Sequence, residues 1–255
     1  MESHTENINE YGQDGLRALY NKISEVKYDF RNYNLYRLII RYLSGRSVLD
    51  IGCGPGHFII MAQNHGHKVT GIEPDPQLIS LGKDIYSEDN LNIHCTKVEN
   101  LNLDQKFDTI TMIDVLEHVK HDQEVLTNLK KYLSDSGKLI IVTPAHPYLY
   151  GIRDRSIGHF RRYAKRQIIH LVENSGMKIL KIHHWNALGV VPFFVTEKIL
   201  RRPLHVGFRG HRQQKGLFAF LNTLLFFWFQ YVENTFNFRF GLSLICVAEV
   251  NKESF

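Results

Sequence analysis

The sequence predicts a doubly wound α/β domain: a mostly parallel sheet with helices on both faces. Two observations carry this. Short apolar runs alternate with segments of helical apolar spacing between residues 47 and 183, a rhythm that needs crossover helices between parallel strands. The first of those runs, Val48-Leu49-Asp50-Ile51, breaks into glycines at alternate positions, Gly52, Gly54 and Gly56, before apolar spacing resumes at Phe58. A strand tip, a glycine turn and a helix start, in that order, mark where α/β sheets take nucleotide-like ligands.

The elements follow in order. Residues 1–12 read as a loosely held tail, and residues 14–43 as one or two helices capping the domain, with Leu35, Leu38 and Ile39 on one face. The helix after the glycine turn is expected to run to about residue 65, closed by Gly66. A short strand at residues 68–73 ends in Glu73; Asp75 as N-cap and Pro76 at the first position then open a helix. Further strands are expected at 91–95, 107–114, 138–143 and 177–183, with helices at 123–133 and 166–174. A last strand at 242–250 closes the chain. The organisation is thus a helical cap (1–43), a core (44–186), an insertion of different texture (187–240) and a final core strand (241–255).

Composition narrows the class. Hydrophobic content of 44% with 22% charged residues suits a globular chain that buries a sizeable core, and a net charge of +5 is mild. Cys53, Cys95 and Cys246 lie far apart and are odd in number. They argue against a disulfide framework or a zinc cluster and favour a reducing cytoplasm. The opening residues are polar and acidic, without the pattern of a secretory leader.

The glycine spacing, G-x-G-x-G with no Lys-Ser/Thr after it, fits neither a dinucleotide fingerprint nor a phosphate loop. The string Asp50-x-Gly52-x-Gly54-x-Gly56 after Val48-Leu49 resembles motif I of the class I S-adenosylmethionine (SAM) methyltransferases. Their fold is a Rossmann-like, seven-stranded sheet whose last strand runs antiparallel. Glu73, 21 residues after Gly52 and followed by Pro74, stands where the family binds both ribose hydroxyls. Val98-Glu99-Asn100-Leu101 resembles the family's A-E-D-L segment, whose backbone meets the adenine. Lys97 replaces the acid usual before it, so only the backbone at Val98 carries over. Asp114-Val115-Leu116-Glu117-His118-Val119 resembles the LEHV segment of the ubiquinone-biosynthesis O-methyltransferases, which flanks the sulfonium and the acceptor. These four segments cover about residues 46–143. The resemblance implies SAM as cofactor, held by Asp50, Gly52, Gly54, Gly56, Glu73, Pro74, Val98 and Asp114.

The acceptor is a separate question. Amino-methylating nucleic-acid enzymes carry Asn/Asp-Pro-Pro-aromatic where this chain has Asp114-Val115-Leu116-Glu117, and cytosine enzymes carry Pro-Cys where it has Pro144-Ala145. For a hydroxyl acceptor a base is needed, and His118, His146 and His159 are the candidates, with His118 and His159 favoured as catalytic residues. The quinone-enzyme resemblance adds an alternative, Mg²⁺ held by Asp114, Glu117 and His118; a purely structural helix start is a third reading of those residues. The pattern D-x-x-x-G-H-x-R-R-Y, at Asp154, Gly158, His159, Arg161, Arg162 and Tyr163, resembles a bacterial and archaeal methyltransferase group often associated with glycosyltransferases. Arg155, Arg161, Arg162 and Tyr163 are expected to bind acceptor oxygens of phosphate or carboxylate type.

Residues 201–215 carry Arg201, Arg202, Arg209, Arg212 and Lys215 and no acid; residues 217–231 are apolar except Asn222, Thr223 and Gln230. Fifteen residues fall short of the ~20 that span a bilayer. A lid over the acceptor, a dimer contact and an interfacial membrane segment all remain open. The expected activity is O-methylation of a small-molecule, sugar or lipid-linked acceptor by a cytoplasmic enzyme, membrane-peripheral if the insertion touches lipid. The alternatives are a non-catalytic, membrane-associated SAM-binding accessory protein and a tRNA or protein methyltransferase.

Overall fold

Seven strands form one sheet in the order β3-β2-β1-β4-β5-β7-β6. The computed structural model describes residues 29–87, 90–202 and 216–251. The expected tail, the first part of the helical cap and most of the basic run lie outside the described residues. β1 (Ser47–Ile51) pairs in parallel with β2 (Lys68–Glu73) and β4 (Phe107–Ile113), placing Val48 beside Val69 and Asp50 beside Thr111. β3 (Ile93–Cys95) and β5 (Leu133–Pro144) extend the parallel set, while β7 (Ser243–Val250) inserts antiparallel between β5 and β6 (Met177–Trp185). This is the expected mixed sheet.

Chain order reverses between β1 and β4: the chain leaves β1 toward β2 and β3, then returns to build β4 and β5 on the other side. The loops at their C-terminal ends therefore diverge and leave a crevice. One sheet face is covered by α4 (Asp122–Leu129) and α6 (Lys165–Asn174), which set Val125, Leu126, Ile168 and Val172 against Leu139 and Ile141. The other is covered by α1 (Phe30–Ile40) and α2 (His57–Gln63), through Leu35, Ile39, Phe58 and Ile59. The helix α3 (Pro76–Tyr86) starts as expected, with the Asp75 side chain accepting from the Gln77 N–H.

The structure differs from expectation mainly in lengths. β5 starts five residues earlier than residue 138 because Leu133 already pairs with Phe107; the register then slips before Thr109 meets Lys138. A short helix, α5 (Ile152–Ser156), interrupts the expected loop after β5, and Asp154 accepts from the Gly151 N–H at its start.

The insertion folds onto the core. Its helices are α7 (Val190–Phe194) and α8 (Leu217–Phe227), each continued by a wide π-helical turn. α8 and its turn lie on α1 through Tyr33–Phe226 and Phe30–Phe229 ring pairs at 5.6 and 5.5 Å. Two buried acids anchor the insertion. Glu233 accepts from the N–H groups of Asn186, Ala187 and Leu188, and Glu197 from those of Ile152 and Arg153. Hydrogen bonding of this kind is what lets a carboxylate leave water.

Candidate active site

The crevice between β1 and β4 opens into a cavity of about 1200 Å³. Ligand cavities commonly run about 300–1000 Å³, so this one has room for a nucleoside cofactor together with an acceptor.

Its floor is the glycine turn. Gly52 donates to the Ile72 carbonyl at 2.7 Å, and Gly54 donates to Oε2 of Glu73 at 2.9 Å. Gly52 has φ 66°, and a Cβ there would come 2.5 Å from a methyl of Val115, so the turn passes beneath the opposite wall only as glycine. Glu73, at the tip of β2, also accepts from the Asp75 N–H at 3.0 Å and lines the cavity with Pro74 and Val98. Burial, only partly offset by these N–H groups, pushes its carboxyl upward from the ordinary value. Asp50 and Gly56 do not line the cavity. Asp50 is buried beneath the turn and accepts from Thr111 Oγ at 2.6 Å; Gly56, at φ 84°, forms the left-handed entry to α2. Both shape the turn from behind.

Asp114 ends β4 in the left-handed region at φ 55°, a conformation that aspartate tolerates better than most residues. It lines the cavity and pairs with Arg31 at 2.9 Å. Arg31, from the first turn of α1, also donates to Ser243 Oγ and stacks over Trp185, tying α1 to the tips of β4 and β7.

Beyond Asp114 three side chains converge. Glu117 is fully buried; its Oε2 accepts from Thr143 Oγ at 3.1 Å, while Oε1 has no hydrogen-bond partner and lies 3.7 Å from Nε2 of His159. Burial, reinforced by Asp114, pushes the Glu117 carboxyl well above its ordinary value. His159 donates from Nδ1 to Asp154 Oδ1 at 2.9 Å, and Arg162 donates to the other Asp154 oxygen at 2.8 Å. Burial opposes ionisation of Asp154, but the bonds from His159 and Arg162 win and hold it at about 2. The ionised carboxylate fixes the imidazole with its proton on Nδ1, leaving Nε2 to act as an acceptor toward the cavity. His118 sits edge-on to His159, ring centroids 4.7 Å apart, and burial together with His159 lowers it to about 4.

One nitrogen each from His118 and His159 and an oxygen of Glu117 lie within 4.8 Å of one another. Two imidazoles and one carboxylate are a donor set for a zinc- or manganese-like ion; Mg²⁺ prefers oxygen ligands. Asp114, a member of the alternative metal set read from the sequence, is outside this group and paired with Arg31, and His159 stands with Glu117 and His118 in its place.

Of the loop residues expected to meet an acceptor, Arg162 lines the cavity, buried and stacked 4.4 Å from the Phe193 ring. Arg161 and Tyr163 instead fasten the loop to Asp122, at 2.7 and 2.9 Å, and Arg155 lies outside on the Tyr150 ring. His146 faces away from the cavity and stacks on His184. The sequence gives no role to Arg31 or Thr143. Asp154 stood within a recognised pattern; Arg31 is 83 positions from its partner, a pairing that no local spacing signals.

A family model described as a methyltransferase domain matches residues 27–182, more than half of the chain. The ubiquinone biosynthesis O-methyltransferase of Coxiella burnetii (strain RSA 493 / Nine Mile phase I) is 38% identical over 104 residues, 40% of this chain and 44% of that one. That of Rickettsia bellii (strain OSU 85-389) is 25% identical over 186 residues, 66% and 76% of the two chains. The chain thus spans less than half the length of the Coxiella relative. A plantazolicin methyltransferase solved with a triazolic desmethylPZN analog and S-adenosylhomocysteine (SAH) shares the fold over 99% of this chain and 100% of its own, with a TM-score of 0.60 at 14% identity. With its glycine turn, the acid at the tip of β2 and this matched domain, the chain belongs to the methyltransferase-domain family.

Proposed function

We propose that the enzyme methylates a hydroxyl oxygen of a small-molecule or lipid-linked acceptor with a substantial apolar body. The observation that carries this is the continuity of one cavity, from Gly52 and Glu73, past Glu117, His118 and His159, to the apolar walls Val191, Phe193, Trp228 and Phe240 of the insertion. The names of the matched relatives, O-methyltransferases of ubiquinone biosynthesis, support oxygen as the accepting atom.

When bound, SAM supplies a methyl carbon open to in-line displacement. Gly52, Gly54, Glu73, Pro74, Val98 and Asp114 are the residues that would hold it. Nε2 of His159 takes the acceptor's proton, and Asp154 keeps that nitrogen free and stabilises the imidazolium that results. His118, lowered to about 4, is too weak a base for the task and walls the site beside His159. Arg162 lines the same cavity but is held by Asp154; Arg155, Arg161 and Tyr163 hold the loop in shape. Val191 and Phe193 of α7 and Leu225 of α8 give the acceptor side of the cavity its apolar wall.

A second reading has its own observation. Glu117, His118 and His159 would hold a divalent ion that lowers the acceptor hydroxyl pKa, with Asp154 orienting the His159 ligand from behind. Turnover of labelled SAM with apolar hydroxylated acceptors, with and without a chelator, tests both. Chelator-resistant O-methyl product that disappears in His159→Gln supports the base. Product lost on chelation and restored by Mn²⁺ or Zn²⁺ supports the metal. SAM binding with no product from any lipid or glycan extract would point to the non-catalytic accessory protein instead.

A further inference from the structure

At the outer edge of the sheet lies a second pocket of about 360 Å³, separate from the methyl-transfer cavity except that Phe238 lines both. β6 is the edge strand there, and the returning insertion runs beside it through a bridge between His184 and Phe238. Lys181, His183 and His184 from β6, Lys165 from the first turn of α6 and Arg239 from the returning segment line this pocket. No carboxylate lines it, and among the described residues none of these five pairs with an acid.

Strand alternation sends His183 and His184 to opposite faces of β6. His183 meets the Tyr42 ring edge-on at 6.2 Å, beside the 3.0 Å bond from Lys181 Nζ to the Tyr42 hydroxyl. His184 stacks on His146 with ring centroids 5.1 Å apart. The pocket therefore takes its lining from both faces of the strand edge, with the charges of Lys165, Lys181 and Arg239 around it. His183 is only 8% exposed, and its Nδ1 has no hydrogen-bond partner. Burial, then Lys181, His184 and Lys165, lower His183 to about 4; burial, His146 and Lys165 do the same to His184. An oxyanion would relieve that repulsion, and each imidazole that gained a proton beside it would become a two-sided donor.

We propose that this pocket binds a multiply charged phosphoryl group, a phosphomonoester or diphosphate, held by Lys165, Lys181, His183, His184 and Arg239. Size favours a head group over an extended ligand, because the pocket is at the small end of the ~300–1000 Å³ range. The group is either free in solution or the head of a lipid whose tail follows the apolar insertion next door. Through Phe238 the bound group would also set the segment that closes one side of the methyl-transfer cavity.

The test is calorimetric titration of the full chain with pyrophosphate near neutral pH, in two buffers of different ionisation enthalpy. Saturable single-site binding with proton uptake is expected, weakened about tenfold or more in Lys165→Ala/Arg239→Ala. SAH binding, read in the same samples, is expected to be unchanged, which separates this site from the methyl-transfer reading and from misfolding. Capture by phosphatidic acid vesicles beyond that by phosphatidylserine vesicles of equal charge, competed by pyrophosphate and lost in the double variant, would assign the lipid source; pyrophosphate binding with equal capture by the two anionic vesicles would assign the free one. Absence of saturable binding to either probe, or equal affinity in the double variant, overturns the proposal.

Discussion

Asp154 accepts a hydrogen bond from Nδ1 of His159 at 2.9 Å while its second oxygen holds Arg162 at 2.8 Å. The guanidinium keeps the carboxylate ionised, and the carboxylate fixes the imidazole tautomer. Nε2 is thereby aimed at the space beside Glu117, where a reacting hydroxyl can sit.

Asp154→Asn should therefore cost catalysis more than binding. The amide keeps the shape but no longer enforces the tautomer, and kcat is expected to fall by about 10²–10³ with little change in SAH affinity. His159→Gln should cost a similar factor, and the double variant little more than either single one, because the two side chains act as a unit. Steady-state kinetics of the three variants would decide; a multiplicative loss in the double variant removes Asp154 from the positioning role.

The pH dependence of stability follows from two aspartates shifted in opposite directions. Asp154 titrates at about 2 when folded, so its ion pairing stabilises fully above about pH 4 and is lost as pH falls toward 2. Asp50 is pushed up to about 7 by burial and by Glu73, against the bond from Thr111. The folded chain holds that proton more tightly than the unfolded chain, so stability declines as pH rises from about 4 to about 7, by on the order of 4 kcal/mol. Asp50→Asn keeps an oxygen for Thr111 and removes the penalty. Its melting temperature should exceed that of the parent at about pH 8 and match it near pH 4; equal melting curves at alkaline pH would show that Asp50 is not strained by burial.

The parallel order, the glycine turn and the acid at the tip of β2 were legible in the sequence because each is a local pattern with a fixed chemical purpose. Asp75-Pro76 announced α3 to the residue. The acceptor side was less legible for a physical reason: its residues are gathered by tertiary packing. Arg161 and Tyr163 look like anion ligands in a basic loop, yet Asp122 from α4 claims both, and only the packing of α4 against α6 brings it there. Arg31 reaches Asp114 because aromatic contacts seat α1 on the insertion. The π-helical turn that delivers Glu233 to three backbone N–H groups has no sequence signature at all.

Glu73 should control cofactor affinity through the turn as well as through contact. Its two oxygens already accept from Gly54 and Asp75, so Glu73→Gln sets an NH₂ group against one of those N–H donors and opens the turn. A rise in the SAH dissociation constant of about tenfold or more is expected, the worth of one or two charge-assisted bonds. Titration calorimetry with SAH measures it directly, and parental affinity in the variant would show that the turn is held by other contacts.

The outward face of α8 makes the last prediction. Phe220 and Leu224 are 59% and 49% exposed, one turn apart, on a helix whose other side packs on α1 and the cavity. Among the described residues no helix is long and apolar enough to cross a membrane. At ~1.5 Å per residue, the 11 residues of α8 cover about half of the ~30 Å hydrocarbon core. An apolar face of this length preceded in sequence by five Lys and Arg and no acid across residues 201–215 has the character of a segment lying in the interface of an anionic membrane. The full chain is expected to float with anionic liposomes at low salt and to be released as salt rises. Phe220→Glu/Leu224→Glu should stay with the soluble fraction while binding SAH as the parent does. If the parent fails to float, or the double variant floats equally well, the exposed face has another occupant, and a change in sedimentation between parent and variant would identify it as a second copy of this chain.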